Sequence, residues 1–490
     1  MVIYLILVCL FAFKNWSSIW TNCEPDADIA LIELQIDQAS TGDAFMGVYS
    51  RFSFHHPGPI SFYYFALVGK VFGEQSIRVH QFAEYLLSVI LIGMALQFIN
   101  IQVRNKYFLG LVLVSFYLLF LIHDFSYVLY FIWNPSIGIF LSFAFIVIIS
   151  SYRLVNFYIV SILALIGSLL FQNHVGSAII IGPFLAYYFF KTFQSTEIDK
   201  KRWIFSIGLF GFLNILFLLP ALMQEWNDFP NGNLIKIFEF MKSNGGIKRN
   251  FWKASGFVGS YFLDPFFHYK YIPDQIGGSL IYFLCVGLVW KLKFENRFLI
   301  ELKKVWLGGM FLFLYSALGM KGTLVKHSLW MSYSFVWIGY AMLFYGYMLI
   351  PILKFSRKYA KLVIDLQWIL WIVLISFTDK PPAECVSYGK LLLEKIHPSR
   401  DLQYKLFLPF DEKEGEIWVI LSQIVNHLEE NGYKACVNQE WDILFEKEWI
   451  CDSFEPSPSS FRISHLPQKN LDAGSFQIHN IFVRPFTGKD

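Results

Sequence analysis

About eleven runs of mostly apolar residues, several of them shorter than the ~20 residues that a spanning helix needs, fill the first three-quarters of this chain and leave it one class of structure. They lie at Met1–Ile19, Val79–Ile99, Tyr107–Leu121, Ser136–Ser150, Phe157–Phe171, Val175–Phe190, Trp203–Met223, Gly277–Trp290, Val305–Met320, Leu329–Leu353 and Leu362–Phe377. In hydrocarbon every backbone amide needs an internal partner, so these runs predict an α-helical polytopic membrane protein. Composition agrees. Only 16% of the residues are charged, against about 25% in soluble chains, and aromatics suited to interfacial belts reach 19%. A formal net charge of +3 gives no field that would attract nucleic acid. The first run lacks a basic leader and a small-residue cleavage site, and reads as an anchor.

Lysine and arginine in short loops give the runs a direction, because such loops stay cytoplasmic. Arg104 and Lys106, Arg153, Lys191 with Lys200–Arg202, Lys291–Lys304, and Lys354–Lys361 fall in every second loop. The loops between them then face outward, as does the tail. The long outer loop, residues 224–276, carries Lys236, Lys242, Lys248, Arg249 and Lys253 against that rule, which long loops follow poorly. Segment Pro57–Phe72 is too short to span and holds Lys70, so it reads as a helix in the outer interface. Residues 1–378 thus form a membrane domain with 21–77 as its first outer loop, and residues 379–490 a tail outside the membrane. In the tail, Ile417–Leu421 reads as a strand, followed by a helix through Glu430, a stop at Gly432 and a strand at Ala435–Val437. That order predicts a small α/β domain. Cys436 and Cys451, on the oxidising side, are candidates for a disulfide. None of the cysteines has metal-ligand spacing.

The first outer loop concentrates the chemistry. Asp26, Asp28 and Glu33 crowd the outer end of the first run. Asp26 or Asp28 suits a helix cap, and either also suits a carboxylate base that takes a proton from an attacking hydroxyl. Arg51, His55 and His56 precede the interfacial helix, where a cation and two imidazoles fit either snorkelling side chains or an anionic phosphate at headgroup depth.

Asp28-x-Ala30-x-x-Glu33-Leu34, Tyr49-Ser50-Arg51 and His56-Pro57-Gly58-Pro59 followed by Phe62-Tyr63 resemble the first outer loop of bacterial GT-C-type membrane glycosyltransferases. The resemblance is nearest the polyprenyl-phosphate-sugar-dependent branch, related to family-39 and aminoarabinose-transferase-like enzymes. Phe72-Gly73-Glu74-Gln75-Ser76-Ile77-Arg78 resembles the link to the next span. Looser matches are Trp133-Asn134-Pro135, Gln172-Asn173-His174, the Pro220–Leu234 stretch and Lys326-His327. The resemblance implies an inverting transfer of sugar from a polyprenyl-phosphate-linked donor to an extracytoplasmic acceptor, which is a lipid A or other lipid, a polysaccharide or a protein. It implies Asp28 or Asp26 as base, Glu33 as an orienting acid, and Arg51, His55, His56, Arg78, Lys326 and His327 around the donor phosphate. It further implies Asp124, His174, Trp226 and Asn233 along the cleft, and a bacterial inner-membrane location with the tail periplasmic. Family members often carry two adjacent acids; Ala27 separates Asp26 from Asp28 here, which leaves the acting aspartate and a divalent metal open. A transporter or flippase of a lipid-linked glycan, or a non-catalytic envelope assembly protein, are the competing readings. No internal repeat favours the transporter.

Overall fold

A computed structural model describes residues 2–20, 23–25, 27–50, 52–120, 125–151, 156–195, 199–243, 249–264, 275–320, 324, 326–356, 387–396, 399, 402–408, 417–441, 444–445, 447–451, 457, 459–464, 475–478 and 481–486. The chain divides into two compact units: Met1–Ile19 with Gln81–Pro381, and Trp20–His80 with Pro382–Asp490.

The first unit is helical, and its apolar helices make the chain a membrane protein. Every expected run is helical except Leu362–Phe377, which lies outside the described residues. The described residues do not show all eleven as full crossings, however. Three described helices are long and apolar enough to cross: Ile77–Val103, Val175–Gln194 and Ser332–Ile352. A fourth appears if Lys200–Phe217 and Leu219–Asn227, bent by 54°, count as one. Most of the remainder are shorter than 18 residues, and Arg297–Gly319, at 23, carries Arg297, Glu301, Lys303 and Lys304 in its first half. The first run, for example, stops at Asn15, whose side-chain amide donates back to the Phe11 carbonyl at 3.0 Å.

Helix Asn134–Ile149 is buried along its whole length, as a helix that is apolar on all sides must be. Trp337 stacks on its Phe143 at 3.7 Å, and the indole N–H donates to the Val112 carbonyl at 2.6 Å. Trp306 likewise donates to Phe335 O at 2.6 Å. Each ring fills apolar space while its polar edge finds a carbonyl, which a low-dielectric interior demands. Helices Phe251–Ser260 and Gln275–Lys291 approach more closely, through Gly256, Gly259 and Gly278, with Ser255 and Ser279 hydroxyls 2.8 Å apart. Small residues let two backbones touch, the usual means of helix association where no hydrophobic drive exists.

The second unit joins the segment Trp20–His80 to the tail. Helix Ala27–Thr41 packs on helix Ile60–Phe72, and β1 (Tyr49–Ser50) pairs antiparallel with β2 (Phe54–His55). The tail carries β3 (Gln403–Phe407), helix Ile417–Glu430, β4 (Lys434–Val437), β5 (Ser460–Ser464), β6 (Phe476–Ile478) and β7 (Ile481–Pro485). Their sheet order is β4-β3-β5-β7-β6, with β3 parallel to β4 and β5 and the β7 pairings antiparallel. The β-helix-β order of the sequence holds, but Ile417–Leu421 is the start of the helix and not a strand. Its apolar run belongs to a 3.6-residue period: Ile420, Leu421, Ile424, Val425 and Leu428 are all buried. The first strand lies earlier, at Gln403–Phe407, where Tyr404 and Leu406 alternate inward. Gly432, at φ +77°, ends the helix, and Cys436 is bonded to Cys451.

Leu31 and Leu34 of helix Ala27–Thr41 enter the tail's hydrophobic core beside Leu392, Leu406 and Leu428, which makes loop and tail one body.

A Cβ on Gly259 would stand 1.9 Å from the Gly278 carbonyl oxygen, a backbone atom with no room to yield. Gly259→Val is therefore expected to cost about 1–3 kcal/mol or more, read as a lower unfolding temperature of the full chain in detergent. Gly182→Val, where a Cβ meets nothing within 4 Å, should stay near the wild-type value.

Candidate active site

Asp28 lies in the first turn of helix Ala27–Thr41, where a carboxylate is favoured by the exposed amides and dipole of the helix start. The hydroxyl of Tyr49 donates to Asp28 Oδ1 at 2.5 Å. Burial first, and the Asp28 carboxylate second, push the Tyr49 phenol far above its ordinary range. Tyr49 therefore stays protonated and remains a donor at any working pH. Its ring packs against the tail's core, so the tail also sets the position of the hydroxyl that holds Asp28.

Glu33 does something different. It is buried, and both its oxygens sit 2.8 and 2.9 Å from His80 Nδ1 at the start of the Ile77–Val103 helix. Gln75 uses its amide nitrogen on the Ala66 carbonyl at 3.0 Å, which turns its oxygen toward His80 Nε2 at 3.0 Å. The imidazole is thus clamped between a carboxylate and an amide oxygen. Gly69 leaves room for that amide, since a Cβ there would stand 2.2 Å from Gln75 Oε1. His80 escaped the sequence reading. A lone carboxylate on the buried face of a helix was the one available signal that such a partner exists.

Among the other loop residues, His56 is buried and its backbone amide donates to Val48 O at 2.7 Å. His55 Nδ1 donates to Gly47 O at 3.1 Å, and Arg78 is held by Glu74 at 2.7 and 2.8 Å and lies over the Trp20 ring. Asp26, Arg51 and Asp124 lie outside the described residues.

A cavity of about 530 Å³ opens within this unit, between the loop and helix Ile417–Glu430. Glu33, Asp37, Glu74, Arg78 and His80 line one wall, and Asn426, Glu429, Glu430 and Asn431 the other. Crowded carboxylates disfavour one another's charge. Desolvation, followed by the Glu33 carboxylate, pushes Glu430 up to about 7, against the Asn426 amide that donates to it at 2.9 Å. Asp37 and Glu429 are raised as well, both chiefly by burial. Among the described residues, no group of three or more His, Cys, Asp or Glu side chains is arranged to hold a metal ion.

In the membrane unit, three separated motifs meet. Asn134 donates to the Asn173 carbonyl at 3.0 Å, and Trp133 packs against His327 at 5.4 Å between ring centres. His174 is pushed down to about 4, by burial first and then by the neighbouring His327. It is neutral at physiological pH and offers hydrogen bonds, not charge. Lys326 is buried in an ion pair with Asp264, whose second oxygen accepts from Tyr333 at 2.7 Å. Tyr261 donates to the Lys326 carbonyl at 2.5 Å. Asp264 and Tyr333 carried no sequence signal. In the long loop Trp226 is 86% exposed, whereas Asn233 is buried and its backbone N–H donates to Gln224 Oε1 at 3.2 Å.

No protein-family model matches the sequence, and no curated protein matches it either. The chain is similar to two solved structures: the Archaeoglobus fulgidus oligosaccharyltransferase in its apo form, and the same protein tethered by a disulfide bond to an acceptor peptide containing the NVT sequon. Identity is 12% in both cases, with TM-scores of 0.47 and 0.48. The matches cover 86% and 94% of this chain but 63% and 68% of those chains.

Two outcomes follow from the site's electrostatics. Removing one member of a buried ion pair strands the other, a loss of about 3–5 kcal/mol, whereas an apolar replacement of both avoids it. Asp264→Leu should therefore lower the unfolding temperature of the full chain more than the double variant Asp264→Leu, Lys326→Met. For Glu430, a carboxyl raised from 4.5 to about 7 on folding contributes stability that is complete below 4.5 and is lost as pH rises through about 7. Because Glu430 as a residue is open to solvent, screening damps the effect. Hydrogen exchange of helix Ile417–Glu430 in the full chain, corrected for intrinsic rates, should quicken across that window. Glu430→Gln should flatten the change, and an equal slope in both proteins excludes Glu430 as its source.

Proposed function

We propose that this protein is a membrane glycosyltransferase of the GT-C type, moving a sugar from a polyprenyl-phosphate-linked donor to an extracytoplasmic acceptor. The observation that carries the proposal is the Asp28–Tyr49 pair: an acid in a helix's first turn, oriented by a hydroxyl that stays protonated. It stands within the loop whose residues resemble the first outer loop of those enzymes, in a chain built of apolar helices. An acid so placed suits a general base. It takes the proton of an acceptor hydroxyl as that oxygen bonds to the anomeric carbon; the bond from that carbon to the phosphate oxygen breaks, and its electron pair leaves with the lipid phosphate. Direct displacement of this kind inverts the anomeric centre. Asp26 is the alternative base.

Glu33 acts at one remove, fixing His80 and with it the start of the next helix. Arg51, His55, His56 and Arg78 in the loop, and Lys326 with His327 in the membrane unit, are the groups proposed to meet the departing phosphate. Asp124, His174, Trp226 and Asn233 are proposed to line the substrate cleft. Lipid A or another lipid, a polysaccharide or a protein would serve as acceptor, and a bacterial inner membrane with the tail outside would be the setting.

Sugar transfer in isolated membranes supplied with a lipid-linked donor tests this. A positioned base contributes about 10²–10⁴-fold, so Asp28→Asn is expected to lose a factor of that size in kcat with a nearly unchanged KM. Unimpaired transfer in both Asp28→Asn and Asp26→Asn removes the base from the mechanism. Facilitated movement of the lipid-linked glycan without transfer would replace the enzyme by a flippase.

A further inference from the structure

We infer that the helical hairpin Leu219–Ser243 is a membrane-surface anchor, lying along the bilayer plane with its apolar side in the acyl–headgroup boundary. This rests on the membrane character of the chain and is independent of the transfer chemistry.

Helix Lys200–Phe217 presents Ile204, Phe205, Phe212 and Ile215 outward, each 61–65% exposed, on a surface that only lipid suits. At Leu218 the chain bends by 54° into helix Leu219–Asn227. The exposed apolar surface turns the corner with it, through Leu222, Met223 and Phe229, and continues on the partner helix Asn233–Ser243 at Phe238 and Met241. The two helices are fastened together: Gln224 Oε1 accepts from the Asn233 amide at 3.2 Å, and Glu225 Oε2 from the Leu234 amide at 2.7 Å.

On the second helix Leu234, Ile237, Phe238 and Met241 recur at i, i+3, i+4 and i+7, with Ile237 turned into the protein and Phe238 and Met241 outward, while Lys236 and Glu239 fall on the other side and Lys242 borders the apolar stripe. An amphipathic helix of that pattern, joined to a lipid-facing helix by a bend, belongs in the interface. Its polar side mixes both signs and selects no charged partner, so continuity with the lipid-facing surface decides the occupant. The placement also accounts for Lys236 and Lys242 in an outer loop. They extend to the headgroups as snorkelling flanks, and the short-loop charge rule does not apply to them.

Environment-sensitive labelling of the full chain tests this, with the described free thiols Cys9 and Cys285 replaced by alanine. Phe238→Cys carries a nitrobenzoxadiazole label, in phosphatidylcholine nanodiscs holding one chain each; Met241→Cys is the second position and Lys236→Cys the polar-side reference. Labels at 238 and 241 should be quenched by lipid with nitroxide on the acyl chain, and should be reduced by aqueous dithionite about tenfold more slowly than the label at 236. Equal reduction at all three positions overturns the anchor. Shielding without nitroxide quenching assigns the surface to protein, and shielding confined to discs holding two chains assigns it to a second copy; either result overturns it too.

Discussion

The candidate site depends on two leucines. Leu31 and Leu34 stand on the helix that begins with Asp28, and they are buried in the hydrophobic core of a sheet formed more than 350 residues later in the chain. Full burial of such a side chain is worth about 1.5–3 kcal/mol. The segment Trp20–His80, with one short hairpin and two helices, has little core of its own. It acquires order by lending its apolar face to the tail, and the tail's sheet closes over that face. Neither segment is an independent domain, whatever their separation in sequence.

The arrangement has a chemical consequence. A base works only when its position outlasts thermal motion, and a carboxylate at a helix start in an exposed loop is poorly fixed. Here the fixing passes through the tail: its core supports the Tyr49 ring, and the Tyr49 hydroxyl holds Asp28. Glu33, five residues on, supports a different structure, through His80 and Gln75. Two acids that look alike in sequence therefore differ in environment, one half-buried beside a phenol and the other sealed against an imidazole.

The apolar helices were legible because a 20-residue run of apolar side chains has few alternatives. Their lengths were not, since a single polar residue such as Asn15 ends a helix without ending the run. The stretch Ile417–Leu421 misled for a related reason. A short run of apolar residues has no period of its own, and only the further recurrence through Leu428 marks it as helix. Gln403–Phe407 carried the alternation of a strand but is brief and flanked by charge. Asp28, Glu33 and the basic residues stood out by their type. Their partners Tyr49, His80 and Gln75 did not, because pairing between remote side chains leaves no local pattern. The union of loop and tail was invisible for the same reason, as Leu31 and Leu34 would look the same on any helix with a buried face.

Among the described cations proposed for the donor phosphate, Arg78 and Lys326 already hold carboxylates, so an incoming anion must exchange partners. The two exchanges differ in cost. Arg78 and Glu74 are about one-third exposed, and a solvated pair of that kind is worth about 0–1 kcal/mol, little for a phosphate to overcome. Lys326 is 4% exposed and faces Asp264, with Tyr333 donating to that same carboxylate. Drawing Lys326 away strands a nearly buried negative charge, unless Asp264 takes up a proton or Tyr333 and further donors absorb it. A guanidinium also offers a planar fork to phosphate oxygens, which an ammonium cannot. Both burial and donor geometry therefore favour Arg78 as the first contact for a lipid phosphate, and leave Lys326 with Asp264 as a preset, nearly neutral pair within the membrane unit.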